Sequence, residues 1–344
     1  MTDHTFLDTT GFQSVDHQPV RGAFINVLDL DKVVAHIERA VERGRYSGPV
    51  EPEAYLLHNK CLVQVGMESC ATLAGILCFG RKPQDFFPRA VVDIGHYRST
   101  DPVSYEVVHL EKDVGGTVFD QLARVETYLW TNTHHGMTLG SGSFQRVEVH
   151  EYPQIVVREL CVNMLAHRDY LNFQSAARVM LFRNRIEWTN PGGLPPNVTV
   201  DNILNEQSSR NPTILSILFE AGYVEAFGQG LDTVVAVLKQ EGLTPPTFKD
   251  TGASFIVSVY GRPLDIFGGE GIYATLSESQ RKILGFIRSR GDVPPRELRE
   301  LFSERTERSI QRDIKSLIEA SLIEQIGGAR AVRYRAREAS ADSL

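Results

Sequence analysis

No apolar run in the sequence approaches the roughly 18 residues that a membrane-spanning helix requires. The opening MTDHTFLDTTGF lacks the basic start and apolar core of an export signal. A soluble, cytoplasmic protein is therefore expected, with no membrane partner. Cysteine is scarce: Cys61, Cys70, Cys78 and Cys161 sit in apolar surroundings, without C-x-x-C spacing. That excludes a disulfide framework and a thiolate zinc site, and the four are expected to be buried thiols in a reducing compartment. His134 and His135 are adjacent, and neighbouring side chains rarely converge on one metal. No G-x-x-x-x-G-K-[ST] occurs, which argues against a P-loop motor and against helicase activity. There is no internal repeat and no low-complexity tract. An excess of positive charge is also missing: 36 Lys and Arg face 43 Asp and Glu, a net of −7, so the chain as a whole is no non-specific coat for nucleic acid.

What is present is a length of 344 residues with 42% hydrophobic side chains, enough for two or three cores. The charge is uneven. Residues 276–338 hold 14 basic and 10 acidic side chains, a net of +4, leaving −11 for the rest. DLDKVVAHIERAVER reads as a helix capped by Asp29, and RAVVDIGHYR and SYEVVHL read as strands. These define a first α/β unit over 1–111. A second domain is expected over 112–261, a Gly-rich linker over 262–275, a small helical domain over 276–338 and a tail over 339–344.

The second domain carries the chemistry. A helix is expected from Pro153, placed in its first turn, to about His167. In ELCVNMLAH the residues Glu159, Asn163 and His167 recur every fourth position, a polar stripe on an otherwise apolar helix. Such a stripe is either a solvated edge or a set of groups with partners. Candidate partners lie downstream. A hairpin turning at Arg183 and Asn184 leads to RIEWTNPGGLP, where Gly192 and Gly193 permit close backbone approach to a ligand and Asn190 offers an amide. Gly228 and Gly230 then precede a helix, whose free N–H groups suit a phosphate. GASFIVSVYG reads as a buried closing strand.

With EYPQIVVRELCVNMLAHRDY, RIEWTNPGGLPP, SSRNP, EAFGQGLDTV and, earlier, TLAGILCFGRKPQDFFP, the chain resembles the RecG-like ATP-binding transcriptional regulators. Their middle domain is a divergent form of the ATP-binding α/β sandwich, the Bergerat fold, shared by gyrase, heat-shock chaperones, histidine kinases and MutL. The resemblance implies ATP and Mg as ligands. Glu159 would be the general base, Asn163 the magnesium ligand, and His167 a neighbour of the phosphates. Asn190 would stand where the wider superfamily has an adenine-binding aspartate, Gly192 would line the base pocket, and Gly228 and Gly230 would form the phosphate loop. This sequence departs from the pattern at Asn190 and at Leu194, where a second glycine is expected. VDHQPVRGAFINVLDLDKV resembles the family's connecting segment, and the resemblance implies that the sequence starts after most of the family's Schlafen/Alba-type N-terminal domain.

In the last segment, LSESQRKILGFIRSR opens with an S-x-x-Q capping pattern. TERSIQRDIKSLIEASL places Ile310, Ile314, Leu317 and Ile318 on one face and Arg308, Gln311, Arg312 and Lys315 on the other, as a DNA-recognition helix does. Two short strands around Gly327 and Gly328, with Arg330 and Arg333 nearby, resemble the wing of winged-helix regulators. Three functions are compatible: a nucleotide-controlled DNA-binding regulator acting as a homodimer, a slow ATPase in repair or defence, and a degenerate nucleotide domain serving as an interaction scaffold.

Overall fold

The structure is a computed structural model that describes residues 14–101, 106–139, 146–206, 208–224, 230–264, 277–302, 305–319, 322–327 and 332–336. The chain divides into two compact units, Met1–Arg262 and Pro263–Leu344.

The first unit begins with β1 (Pro19–Phe24) and α1 (Leu30–Glu42). The Asp29 carboxylate accepts from the Lys32 amide and caps α1, which buries Val33, His36, Ile37 and Ala40. In α2 (Pro52–His58) proline fills the first turn and Glu51 caps the free N–H groups of Glu53 and Ala54. β2 (Leu62–Val65) and β3 (Glu68–Thr72) complete an antiparallel sheet in the order β1-β3-β2. All seven residues of α3 (Leu73–Phe79) are buried, so LAGILCF shows no amphipathic period. Cys61, Cys78 and Cys161 are buried thiols, whereas Cys70 on β3 is only partly covered.

The main sheet starts with β4 (Val92–Tyr97) and β5 (Val107–Val114). After α4 (Val118–Asn132), begun by a reciprocal Thr117–Asp120 capping box, comes a ribbon of β6 (His135–Leu139) and β7 (Arg146–His150). Then follow α5 (Gln154–Ala166), the hairpin β8 (Ala177–Leu181) and β9 (Arg185–Pro191), α6 (Pro212–Glu220), α7 (Gly230–Gln240), and the hairpin β10 (Thr247–Asp250) and β11 (Ser254–Tyr260). Six strands align as β10-β11-β9-β8-β4-β5, antiparallel except for β4 beside β8. Three expectations are corrected here. The division placed at residue 111 falls inside β5, and one hydrophobic core runs from Val20 to Val259, so the connecting unit and the second domain share a sheet and a core. Pro153 is the residue before α5 and not in its first turn. β11 does not close the sheet: β10 lies outside it, and its sequence TFKD is the short, polar kind that an edge strand uses against unwanted pairing.

Two long-range ties join the start of the chain to α6. The buried Asp16 carboxylate accepts from the amides of Thr213 (2.7 Å) and Ile214 (3.1 Å) at the start of α6. At the other end Glu220 accepts from Tyr55 (2.6 Å) and meets His36 Nε2 at 3.1 Å.

The second unit contains α8 (Glu278–Arg290), α9 (Pro295–Leu301), α10 (Glu307–Glu319) and a ribbon of β12 (Ile323–Ile326) and β13 (Arg333–Ala336). Ser277 and Gln280 form the capping box at α8. A separate core gathers Ile283, Leu284, Ile287, Leu298, Ile310, Ile314 and Leu317. Most of the expected linker and all of the tail lie outside the described residues.

Candidate functional site

Helix α5 is buried on most sides, through Val156, Leu160, Cys161, Val162, Met164 and Leu165. It packs on β9, where Trp188 donates to the Cys161 sulfur at 3.3 Å. The stripe therefore faces protein and not open solvent. Glu159 is 7% exposed and Asn163 partly buried. Facing them is Gly230, the first residue of α7. A β-carbon there would lie 2.9 Å from Glu159 Oε2 and 3.1 Å from Asn163 Nδ2, so glycine is what lets the start of α7 approach these two side chains. Gly228 lies outside the described residues. The segment before it is firmly held: Arg158 donates to the carbonyls of Gly222 (2.9 Å) and Tyr223 (3.0 Å), and Arg45 to those of Phe219 (3.2 Å) and Val224 (2.7 Å).

His167 ends α5 as its C-cap, with its amide bonded to the Asn163 carbonyl at 3.0 Å. Burial pushes its imidazole down to about 4, and the Arg210 guanidinium adds to the shift. The ring is thus neutral near pH 7. An unfolded histidine titrates near 6.5, so between these values the unfolded chain binds the extra proton and stability falls as pH falls. The contribution is fully present above pH 6.5. Unfolding by urea at pH 7 and pH 4.5 should show about 2–3 kcal/mol less stability at the lower pH from this group. His167→Gln should abolish that portion, and an unchanged pH dependence in the variant would refute the assignment.

The second half of the site is the turn after β9. Asn190 pairs in register with Phe255 of β11, and its Oδ1 atom is buried with no hydrogen-bond partner among the described residues. Gly192 has φ +90°, and a β-carbon there would stand 2.6 Å from Arg210 Nη1 and 2.8 Å from Asp169 Cβ. At Gly193 the same atom would meet the Gly252 carbonyl oxygen at 2.7 Å and Asp250 Oδ1 at 3.1 Å. Arg210 Nη2 donates to the Gly193 carbonyl at 3.0 Å, and Asp250 accepts from the Leu194 amide at 3.3 Å. Asp169, Arg210 and Asp250 were not singled out by sequence reasoning. The phrases HRDY and SSRNP carried the signal without showing what each residue touches. Asn211 explains part of it: its amide donates to the carbonyls of Ala166 (2.9 Å) and Arg168 (2.8 Å), joining the end of α5 to the start of α6. Arg168 is buried and donates to Val91 (2.7 Å) and Ser175 (3.0 Å). The structure thus brings Glu159, Asn163 and Gly230 together, and it sets Arg210 against Gly192 and Gly193.

In the second unit, Arg308, Gln311, Arg312 and Lys315 are exposed on α10 while Ile310, Ile314 and Leu317 face the core. Asp313 is buried beside them, accepting from Arg305 (2.8 Å) and Ser279 (2.7 Å). Lys315 meets Glu319 at 3.7 Å. Arg333 is exposed on β13, and Arg335 makes a two-pronged pair with Asp292 at 2.6 and 2.7 Å. Arg330 lies outside the described residues. No described helix is long and apolar enough to cross a membrane.

The sequence model of a protein family described as "Putative ATP-dependent DNA helicase recG C-terminal" matches residues 175–259, the stretch from just before β8 through β11. No curated protein matches the chain. Among solved structures, the DIP2311 protein from Corynebacterium diphtheriae is similar with a TM-score of 0.58 and 17% identity, over 95% of this chain and 64% of that one. The chain therefore spans less than two thirds of that protein, and at this identity the likeness is one of fold.

Proposed function

We propose that the chain is a DNA-binding regulator whose first unit binds ATP with magnesium. One arrangement carries the reading: Glu159 and Asn163 on α5 are packed against Gly230 at the start of α7. The matched family, named for an ATP-dependent protein, supports nucleotide as the ligand class. In this reading the unpartnered Asn190 Oδ1 accepts from the adenine amino group, and Gly192 and Gly193 line the base pocket. The amide oxygen of Asn163 is a hard neutral ligand for Mg2+, whose remaining positions suit phosphate oxygens and water. Gly230 brings its backbone N–H group and the positive end of α7 to the phosphates, and Gly228, outside the described residues, is the other glycine of the proposed phosphate loop. Glu159 is the base that accepts a proton from an attacking water, which makes slow hydrolysis part of the proposal. Helicase activity is not, because the sequence holds no P-loop.

The second unit fits a winged helix in which α10 enters the major groove and the β12–β13 ribbon is the wing. Arg308, Gln311, Arg312, Lys315, Arg330 and Arg333 are the DNA-facing residues of this reading. A homodimer follows from the paired half-sites that such modules read. The regulator reading is tested by measuring the affinity of the full chain for its selected DNA with and without ATP·Mg2+. A several-fold difference is expected. Equal affinities would reduce the protein to a nucleotide binder with an unconnected DNA module.

A further inference from the structure

The ribbon of β6 and β7 brings two histidines face to face. His135 opens β6 and His150 closes β7, and they stand opposite each other in register. One pair along, the Glu151 amide donates to the His134 carbonyl, so His135 and His150 form a non-hydrogen-bonded pair, the kind whose side chains approach most closely. Their Nδ1 atoms are 3.0 Å apart. The His135 Nε2 atom lies 2.7 Å from the carbonyl oxygen of Trp130, in the last turn of α4. A carbonyl only accepts, so in the neutral ring Nε2 carries the proton and Nδ1 keeps a lone pair. His150 is turned the same way: its Nε2 faces the Glu148 carboxylate at 3.7 Å and its Nδ1 faces His135. Trp130 stacks on the His135 ring, with centroids 4.0 Å apart. His135 is exposed and the His150 side chain is 18% exposed, so the pair is open to solvent.

We propose that His135 and His150 bind a divalent transition-metal ion through their two Nδ1 atoms. Two nitrogens about 2.0–2.1 Å from one ion, at a right or a tetrahedral angle, lie roughly 2.9–3.4 Å apart. The observed 3.0 Å falls in that span. In a histidine ligand the second ring nitrogen ordinarily donates to a carbonyl or a carboxylate. Here the Trp130 carbonyl and Glu148 fill both places. Without the ion, the same spacing is a hydrogen bond in which His150 Nδ1–H donates to His135 Nδ1. Binding to the neutral pair displaces that single proton, which passes through solvent to His150 Nε2, beside Glu148, so no net proton is released. Imidazole nitrogen suits zinc, nickel and copper, whereas magnesium and calcium prefer oxygen. Among the described residues no group of three or more His, Cys, Asp or Glu side chains gathers about a metal position, so water completes the coordination. His134 lies outside the site: its Nδ1 bonds the buried Glu151 carboxylate at 2.8 Å. A bound ion ties β6 to β7 and, through the Trp130 carbonyl, to α4. The site uses none of Glu159, Asn163 and Gly230 and stands independently of the nucleotide reading.

The test titrates the tag-free 344-residue chain with Ni2+, Zn2+ and Mg2+, following tryptophan fluorescence and binding heat, beside His135→Gln, His150→Gln, His134→Gln and Trp130→Phe. The wild type should take up one Ni2+ saturably, and this open-shell ion should quench Trp130. Zn2+ should displace it and restore the emission, and Mg2+ should do neither. His135→Gln and His150→Gln should each weaken Ni2+ and Zn2+ by about tenfold or more, the scale set by losing even an outer partner of a ligand, and His134→Gln by less than about twofold. Trp130→Phe should still bind Ni2+ by heat while losing most of the quenching. Melting of each metal-free variant shows whether it is folded, and should one glutamine variant of the pair not fold, the other decides. A wild-type chain with no saturable binding of Ni2+ or Zn2+ overturns the proposal, as does a folded His135→Gln or His150→Gln that binds like the wild type. An equal loss in His134→Gln overturns the assignment to this pair. Full quenching in Trp130→Phe would place the ion near Trp188, the other tryptophan, and overturns it too.

Discussion

Asn163→Ala is expected to make ATP binding indifferent to magnesium. Asn163 is one helical turn from Glu159 and shares with it the contact with Gly230, so its amide lies beside the carboxylate rather than on a solvated edge. An alanine methyl cannot ligate a cation. Affinity measured in Mg2+ should then fall to the value measured in a chelator, a loss of at least about tenfold if one ligand is worth what a charge-assisted contact usually is. The fold should survive, because the side chain is only partly buried and leaves a small hole. Titration of magnesium at fixed ATP provides the measurement. If the variant still binds ATP more tightly as magnesium rises, Asn163 is not the ligand.

The double variant Arg308→Ala, Arg312→Ala should have the second large effect, on DNA. Both side chains are exposed on α10, away from the core formed by Ile310, Ile314 and Leu317, so stability should stay within about 0.5 kcal/mol of the wild type. If each contacts a phosphate, the slope of log affinity against log salt should shrink by nearly two. Affinity at low salt should drop by tenfold or more. A wild-type chain without DNA affinity at low salt, or a double variant with an unaltered slope, would make α10 a protein-contact helix instead.

How far the residues announced this depended on what each segment's surroundings demanded. α1 and α8 were legible because one face of each is wet, and their caps, Asp29 and Ser277 with Gln280, are local chemistry. LAGILCF was not, since burial on all sides erases periodicity. β10 was missed because an edge strand is short and polar. The boundary at residue 111 went wrong for a different reason: β4 and β5 are distant in sequence from β8 and β9, and no local pattern reveals that Val92 pairs with Ala177. At the site, spacing on one helix put Glu159 and Asn163 on one face, and Gly230 proved to be the residue opposite them. Asp169, Arg210 and Asp250 were invisible in that sense, because each acts through a tertiary contact with a glycine turn.

The most direct test of the nucleotide site is calorimetric titration of the 344-residue chain with ATP in the presence and absence of magnesium. Saturable binding with one nucleotide per chain, strengthened by magnesium, is the expected result. No binding heat and no rise in melting temperature at millimolar ATP with magnesium would contradict it, since a ligand at a hundred times its dissociation constant stabilises the folded state by about 2.7 kcal/mol.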